Sequence, residues 1–186
     1  MVRQEQSERI ETYARKTSRI FRWLKVSIGL LLILSFFLPW AAQTEGCADD
    51  AAIIRDNISG YSLAVERIAP AVSLAPLSGL VIGALAFFLV GTIHPFARSI
   101  VSLGEVLPAL YAWVYVNFEV FFLSPYVERF GYVITFILMA AVPPLSFIES
   151  VIHLPLMDRK KRLITSIIIA MAIAFFLVMS AYDALS

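Results

Sequence analysis

The chain has 186 residues, 60% of them hydrophobic and only 16% charged, with a net charge of +1. Soluble domains carry about 25% charged residues, so this composition points to an integral membrane protein and implies no nucleic-acid partner. A single cysteine, Cys47, excludes an internal disulfide and a cysteine-based metal cluster.

Residues 1–25 predict a cytoplasmic amphipathic helix. Ile10, Tyr13, Thr17, Ile20 and Leu24 recur at spacings of three and four, which is one helical face. Glu5 with Arg9, and Glu11 with Arg15, are favourable pairs with the acid first. The basic remainder suits an anionic lipid surface, with docking of a cytoplasmic partner as the alternative.

Residues 26–186 predict an all-α membrane bundle of five spanning helices, since about 20 mostly apolar residues cross the hydrocarbon core. The first runs from Val26 to Ala42. Its basic flank is long for a signal peptide, and Trp40 stands where a small residue should precede cleavage, so it reads as an uncleaved anchor. Pro39 is expected to end this helix, with Trp40 in the outer aromatic belt.

An external loop follows, residues 43–68, with five acids and two arginines. "ADDAAIIRDN" predicts a short helix and "NISG" its exit turn. Asp49, Asp50 and Asp56 lack the spacing of a calcium loop and read as solvated acids. Phe37-Leu38-Pro39-Trp40, Cys47 and Ser59-Gly60-Tyr61-Ser62-Leu63-Ala64 together resemble a pattern in uncharacterised bacterial multi-span membrane proteins. The resemblance covers residues 37–64 and implies a bacterial origin and a packed external loop, but no activity. Cys47 reads as a free or packed thiol, with pairing to another chain as the alternative.

The second span is expected from Ala69 to Ile93 and the third from Ser99 to Leu123. The third carries Glu105 and Glu119, 14 residues apart. On one straight helix they would share a face, separated by about 21 Å, each near an interface. Lipid-facing acids are rare, so the pair predicts a protein-facing interaction surface, neutralised by a partner subunit or by Arg98 and Arg129.

The fourth span, Phe130 to Ile148, contains Pro143-Pro144, which predicts a break and an interfacial segment over residues 145–154. Glu149 and His153 are four apart and so share a helical face. With His94 they are candidates for a ligand site, for a metal or through one histidine for haem or pigment, although no ligand motif accompanies them. The simpler reading has them mark where helices leave the lipid, with no metal and no cofactor. The fifth span is Leu163 to Tyr182.

Twelve Lys and Arg fall on one side of this five-span arrangement and three on the other. That bias places the N-terminus in the cytoplasm and the C-terminus outside. No catalytic motif is present. The expected function is a non-enzymatic structural or accessory subunit of a larger membrane complex in a bacterial inner membrane. Its expected partners are lipids and either other membrane subunits or copies of itself. A small transporter or channel using the Glu105/Glu119 face is the first alternative. A haem- or pigment-binding subunit, which would absorb visible light, is the second.

Overall fold

The computed structural model describes residues 2–45, 53–88, 94–121 and 126–185. The chain is mostly helical. In order come α1 (Val2–Ser35), β1 (Pro39–Glu45), β2 (Ile53–Ser59), α2 (Gly60–Val65), a 3-10 turn at Pro70–Ser73, and α3 (Leu74–Phe88). These are followed by α4 (Pro95–Gly104), α5 (Val106–Phe121), β3 (Tyr126–Glu128), α6 (Phe130–His153), a 3-10 turn at Leu154–Leu156, and α7 (Arg159–Leu185). Among the described residues, three helical stretches are long and apolar enough to cross a membrane: Pro70–Phe88, Pro95–Val116 and Phe130–Leu156.

α1 is one unbroken helix across the expected junction at Lys25–Val26. The face it buries is not the apolar one read from the sequence. Tyr13, Ile20 and Leu24 are exposed, while Ala14, Ser18, Arg22, Lys25, Ile28 and Leu32 are buried. An apolar face turned outward and a polar one inward is the arrangement that suits a helix in lipid, where apolar side chains need no cover and polar ones must find partners inside.

α1 packs most extensively on α3. Glycines allow the approach. A Cβ on Gly29 would lie 2.5 Å from the carbonyl oxygen of Gly79, and one on Gly79 would lie 2.6 Å from that of Gly29. Helices in lipid associate largely by such close van der Waals packing at small residues.

Where the sequence predicts an all-α chain with a short helix in the external loop, the structure has a three-stranded antiparallel sheet of order β2-β1-β3. Ile53 to Asn57, expected in a short helix, lie in β2, paired with Glu45 to Ala42 of β1. Ala41 to Gln43 also pair with Glu128 to Tyr126. The β-branched "II" of this stretch suits a strand, and a ladder satisfies backbone groups that a short isolated helix leaves open. "NISG" closes β2 and opens α2, with Ser59 Oγ accepting from the Ser62 amide at 3.1 Å. Cys47, Asp49 and Asp50 lie outside the described residues.

Trp40 is not in an exposed belt. It is 1% exposed, and its indole Nε1 donates to the Ser35 carbonyl at 2.7 Å. Gly60 and Gly131 make room for it: a Cβ on either would come within 2.9 Å of the indole ring. Tyr132 packs edge-on against it. The first span also ends earlier than expected, at Ser35, because Pro39–Ala42 pair in β1.

Pro143-Pro144 does not break α6, which continues to His153. The two prolines remove amide donors to the carbonyls one turn back, Met139 and Ala140. Neighbouring helices tolerate such sites inside a bundle, and here Val142 and Pro143 are both buried in packing. The break falls instead in the expected third span, between α4 and α5 at Gly104–Glu105. Pro108 lacks the amide that would bond the Gly104 carbonyl.

Candidate functional site: a buried lysine between two glutamates

Three elements converge on Lys25. It projects from α1, Glu105 sits at the α4–α5 junction, and Glu149 lies one turn from the end of α6. All three are at most 1% exposed. The Lys25 ammonium donates to Glu105 Oε2 at 2.6 Å, to Glu149 Oε2 at 2.6 Å and to Ser102 Oγ at 2.7 Å. An ammonium has three protons, and each has a partner here.

Serines complete the surroundings. Ser18 Oγ donates to Glu149 Oε1 at 2.8 Å. Ser102 Oγ lies 3.1 Å from Glu149 Oε2, and Ser146 Oγ lies 3.4 Å from Glu105 Oε2. Ser99 Oγ donates across the α4–α6 contact to the Ser150 carbonyl at 3.4 Å, and Ser150 Oγ donates to the Ser146 carbonyl at 2.8 Å while lying 3.4 Å from the Ser99 carbonyl. Ser99 and Ser102 are three apart on α4, and Ser146 and Ser150 four apart on α6, so each pair faces the partner helix. Small side chains allow the close approach that brings the carboxylates to one lysine.

Two carboxylates and one ammonium leave one excess negative charge if both acids are ionised. Arg22 and Arg98 lie within electrostatic range of Glu149. The Arg22 side chain folds back so that its Nε donates to the Ser18 carbonyl at 3.2 Å.

The structure gives Glu105 and Glu149 a common partner in Lys25 that the sequence reading did not assign. Glu105 pairs with Lys25 rather than with the expected Arg98 or Arg129. Glu105 stands at the α4–α5 junction, and α5 continues from Val106 through the position of Glu119. The Glu119 side chain lies outside the described residues.

Glu149 and His153 are both buried against neighbouring helices. His94 is exposed, with Nε2 at 3.5 Å from Lys161 Nζ. The three do not form a ligand set, and among the described residues no group of three or more His, Cys, Asp or Glu is placed to hold a metal. Both ring nitrogens of His153 are buried without a hydrogen-bond partner among the described residues.

Lys25 was legible only as one of seven basic residues before the first span. The signal that marks it is the stripe Ser18, Arg22, Lys25 at spacings of four and three, opposite the apolar face. Compared with protein-family models, with curated proteins and with solved structures, the chain matches none.

Proposed function

We propose that the chain is a non-enzymatic integral membrane protein of five spanning helices, α1, α3, α4–α5, α6 and α7, acting as a structural or accessory subunit of a larger membrane complex. The observation that carries this reading is the closure of the Lys25–Glu105–Glu149 cluster. It joins α1, the α4–α5 junction and α6 through groups withdrawn from solvent, with every ammonium proton committed. Buried charge used in this way fixes the register of packed elements.

Five crossings agree with the connections. β1 follows α1, β2 precedes α3 and β3 follows α5, and their pairing brings those three chain ends to one end of the bundle. At the other end, His94 before α4 meets Lys161 at the start of α7. The charge bias of twelve to three supports a cytoplasmic N-terminus and an external C-terminus. The resemblance over residues 37–64 supports a bacterial inner membrane. Lipids and other membrane subunits, or further copies of the chain, are the partners.

A second reading, proton-linked transport, is favoured by one observation. Glu105 Oε1 is buried without a partner among the described residues, and Glu105 stands at a helix break. Broken helices line ion and substrate sites in transporters, and two carboxylates sharing one ammonium can hold one proton without losing all pairing.

Two measurements separate the readings: mass spectrometry of the assembly purified in mild detergent, and proton-dependent uptake by reconstituted vesicles. The first reading expects stoichiometric partner subunits and no effect of Glu105→Gln on uptake. Uptake abolished by Glu105→Gln, with assembly intact, replaces it with the transporter.

A further inference from the structure

Beside the cluster, at the same end of the bundle, is an open cleft of about 390 Å³ between α1, the end of α3 and the start of α4. Arg15, Arg19, Arg22 and Arg98 form its polar wall, and Trp23, Val26 and Phe87 its apolar wall. Four guanidiniums around one space repel one another: Arg22 feels Arg19, and Arg98 feels both Arg22 and Arg15. Glu11 pairs with Arg15, and Glu149, bonded to Lys25 and Ser18, also attracts Arg22 and Arg98, so four guanidiniums share two acids. A cleft of this sign is complementary to an anion, and guanidinium forks match phosphate oxygens two at a time.

The apolar wall identifies the kind of anion. Trp23 and Phe87 are 59% and 60% exposed, on the outer surface of the bundle. Val26 begins the apolar run of α1, so the arginines lie at the level where that run gives way to the basic segment. A ligand filling both walls is charged at one end and hydrocarbon at the other. We infer that this cleft binds the phosphate group of an anionic phospholipid, with its acyl chain along Trp23, Val26 and Phe87. Basic pockets between helices hold lipid headgroups in this manner. The inference rests on the membrane reading of the chain, and not on the choice between subunit and transporter.

The test uses the full chain reconstituted in phosphatidylcholine vesicles, with brominated phosphatidylglycerol or brominated phosphatidylcholine titrated in as a quencher of tryptophan emission. Phosphatidylglycerol is expected to quench at a mole fraction about tenfold lower, as expected for one or two charge-assisted hydrogen bonds. Arg19→Gln with Arg98→Gln is expected to abolish that preference. Arg9→Gln with Lys16→Gln removes the same charge from outside the cleft and is expected to preserve it. Arg19→Lys with Arg98→Lys, which keeps charge and fold but not the fork, is expected to give an intermediate preference.

Equal quenching by the two lipids overturns the inference, as does equal loss in the Arg9/Lys16 control. Displacement of phosphatidylglycerol by millimolar inorganic phosphate assigns the cleft to a soluble phosphate compound and overturns the lipid. Failure of the chain to enter vesicles of either lipid is a different result, which overturns the membrane reading itself.

Discussion

The two ends of the bundle meet the same demand, holding helices together where apolar burial drives little, by different means. At one end Lys25, Glu105 and Glu149 join α1, α4–α5 and α6 by short charge-assisted hydrogen bonds. At the other, Trp40 fills a space left by Gly60 and Gly131, a three-stranded sheet ties the connections, and Ser35 and Thr135 share a hydroxyl contact of 2.7 Å. The charged end depends on balance, since removing one partner strands the others in a medium that cannot solvate them. The sheet end depends on shape and on neutral hydrogen bonds, so its losses are graded.

The largest expected effect breaks that balance. Lys25→Met leaves two buried carboxylates without their cation and is expected to cost about 3–5 kcal/mol, measured by reversible unfolding in mixed micelles. Adding Glu105→Gln and Glu149→Gln removes the stranded charge and is expected to restore most of the loss. If the triple variant is as unstable as Lys25→Met alone, charge balance is not what governs this end.

A smaller loss follows when the acids keep their lysine but one neutral donor goes. Ser18→Ala removes the 2.8 Å bond to Glu149 and is expected to cost about 1.5–3 kcal/mol, the range for a hydrogen bond to a charged group. Thermal melts of the detergent-solubilised protein would read it.

At the sheet end, Trp40→Phe keeps an aromatic ring in the glycine-lined space but loses the donor to the Ser35 carbonyl. The expected cost is about 1–2 kcal/mol, with faster amide exchange at the end of α1. The smallest effect is expected for Thr135→Val, about 0.5–1.5 kcal/mol, since it removes only neutral hydrogen bonds to Ser35 and Gly131. A Thr135→Val loss equal to that of Ser18→Ala would erase the distinction between the two ends.

Much of the fold was legible because hydropathy and proline have local consequences. The apolar stretches of α3, α4–α5 and α6 stand out by composition. Glu105, Glu149 and His153 drew attention as ionisable groups within or beside apolar runs. Their actual associations were hidden, since Lys25 meets Glu105 across 80 residues and Glu149 across 124. Pro143-Pro144 is a stronger local signal than Pro108, yet the helix is interrupted at Glu105, where a glycine precedes and the side chain is held in a buried ion pair.

The sequence by itself determined a mostly helical chain with stretches long and apolar enough to cross a membrane, because segregated charge and long apolar runs are local properties of composition. The tertiary structure decided which small residues meet, bringing Gly29 against Gly79 and Ser99 against Ser150. Only the tertiary structure decided that α1 turns its polar stripe inward, that residues 53–59 form a strand, and that one lysine serves two glutamates. Those outcomes depend on which distant segment satisfies each buried polar group, and no local preference encodes that choice.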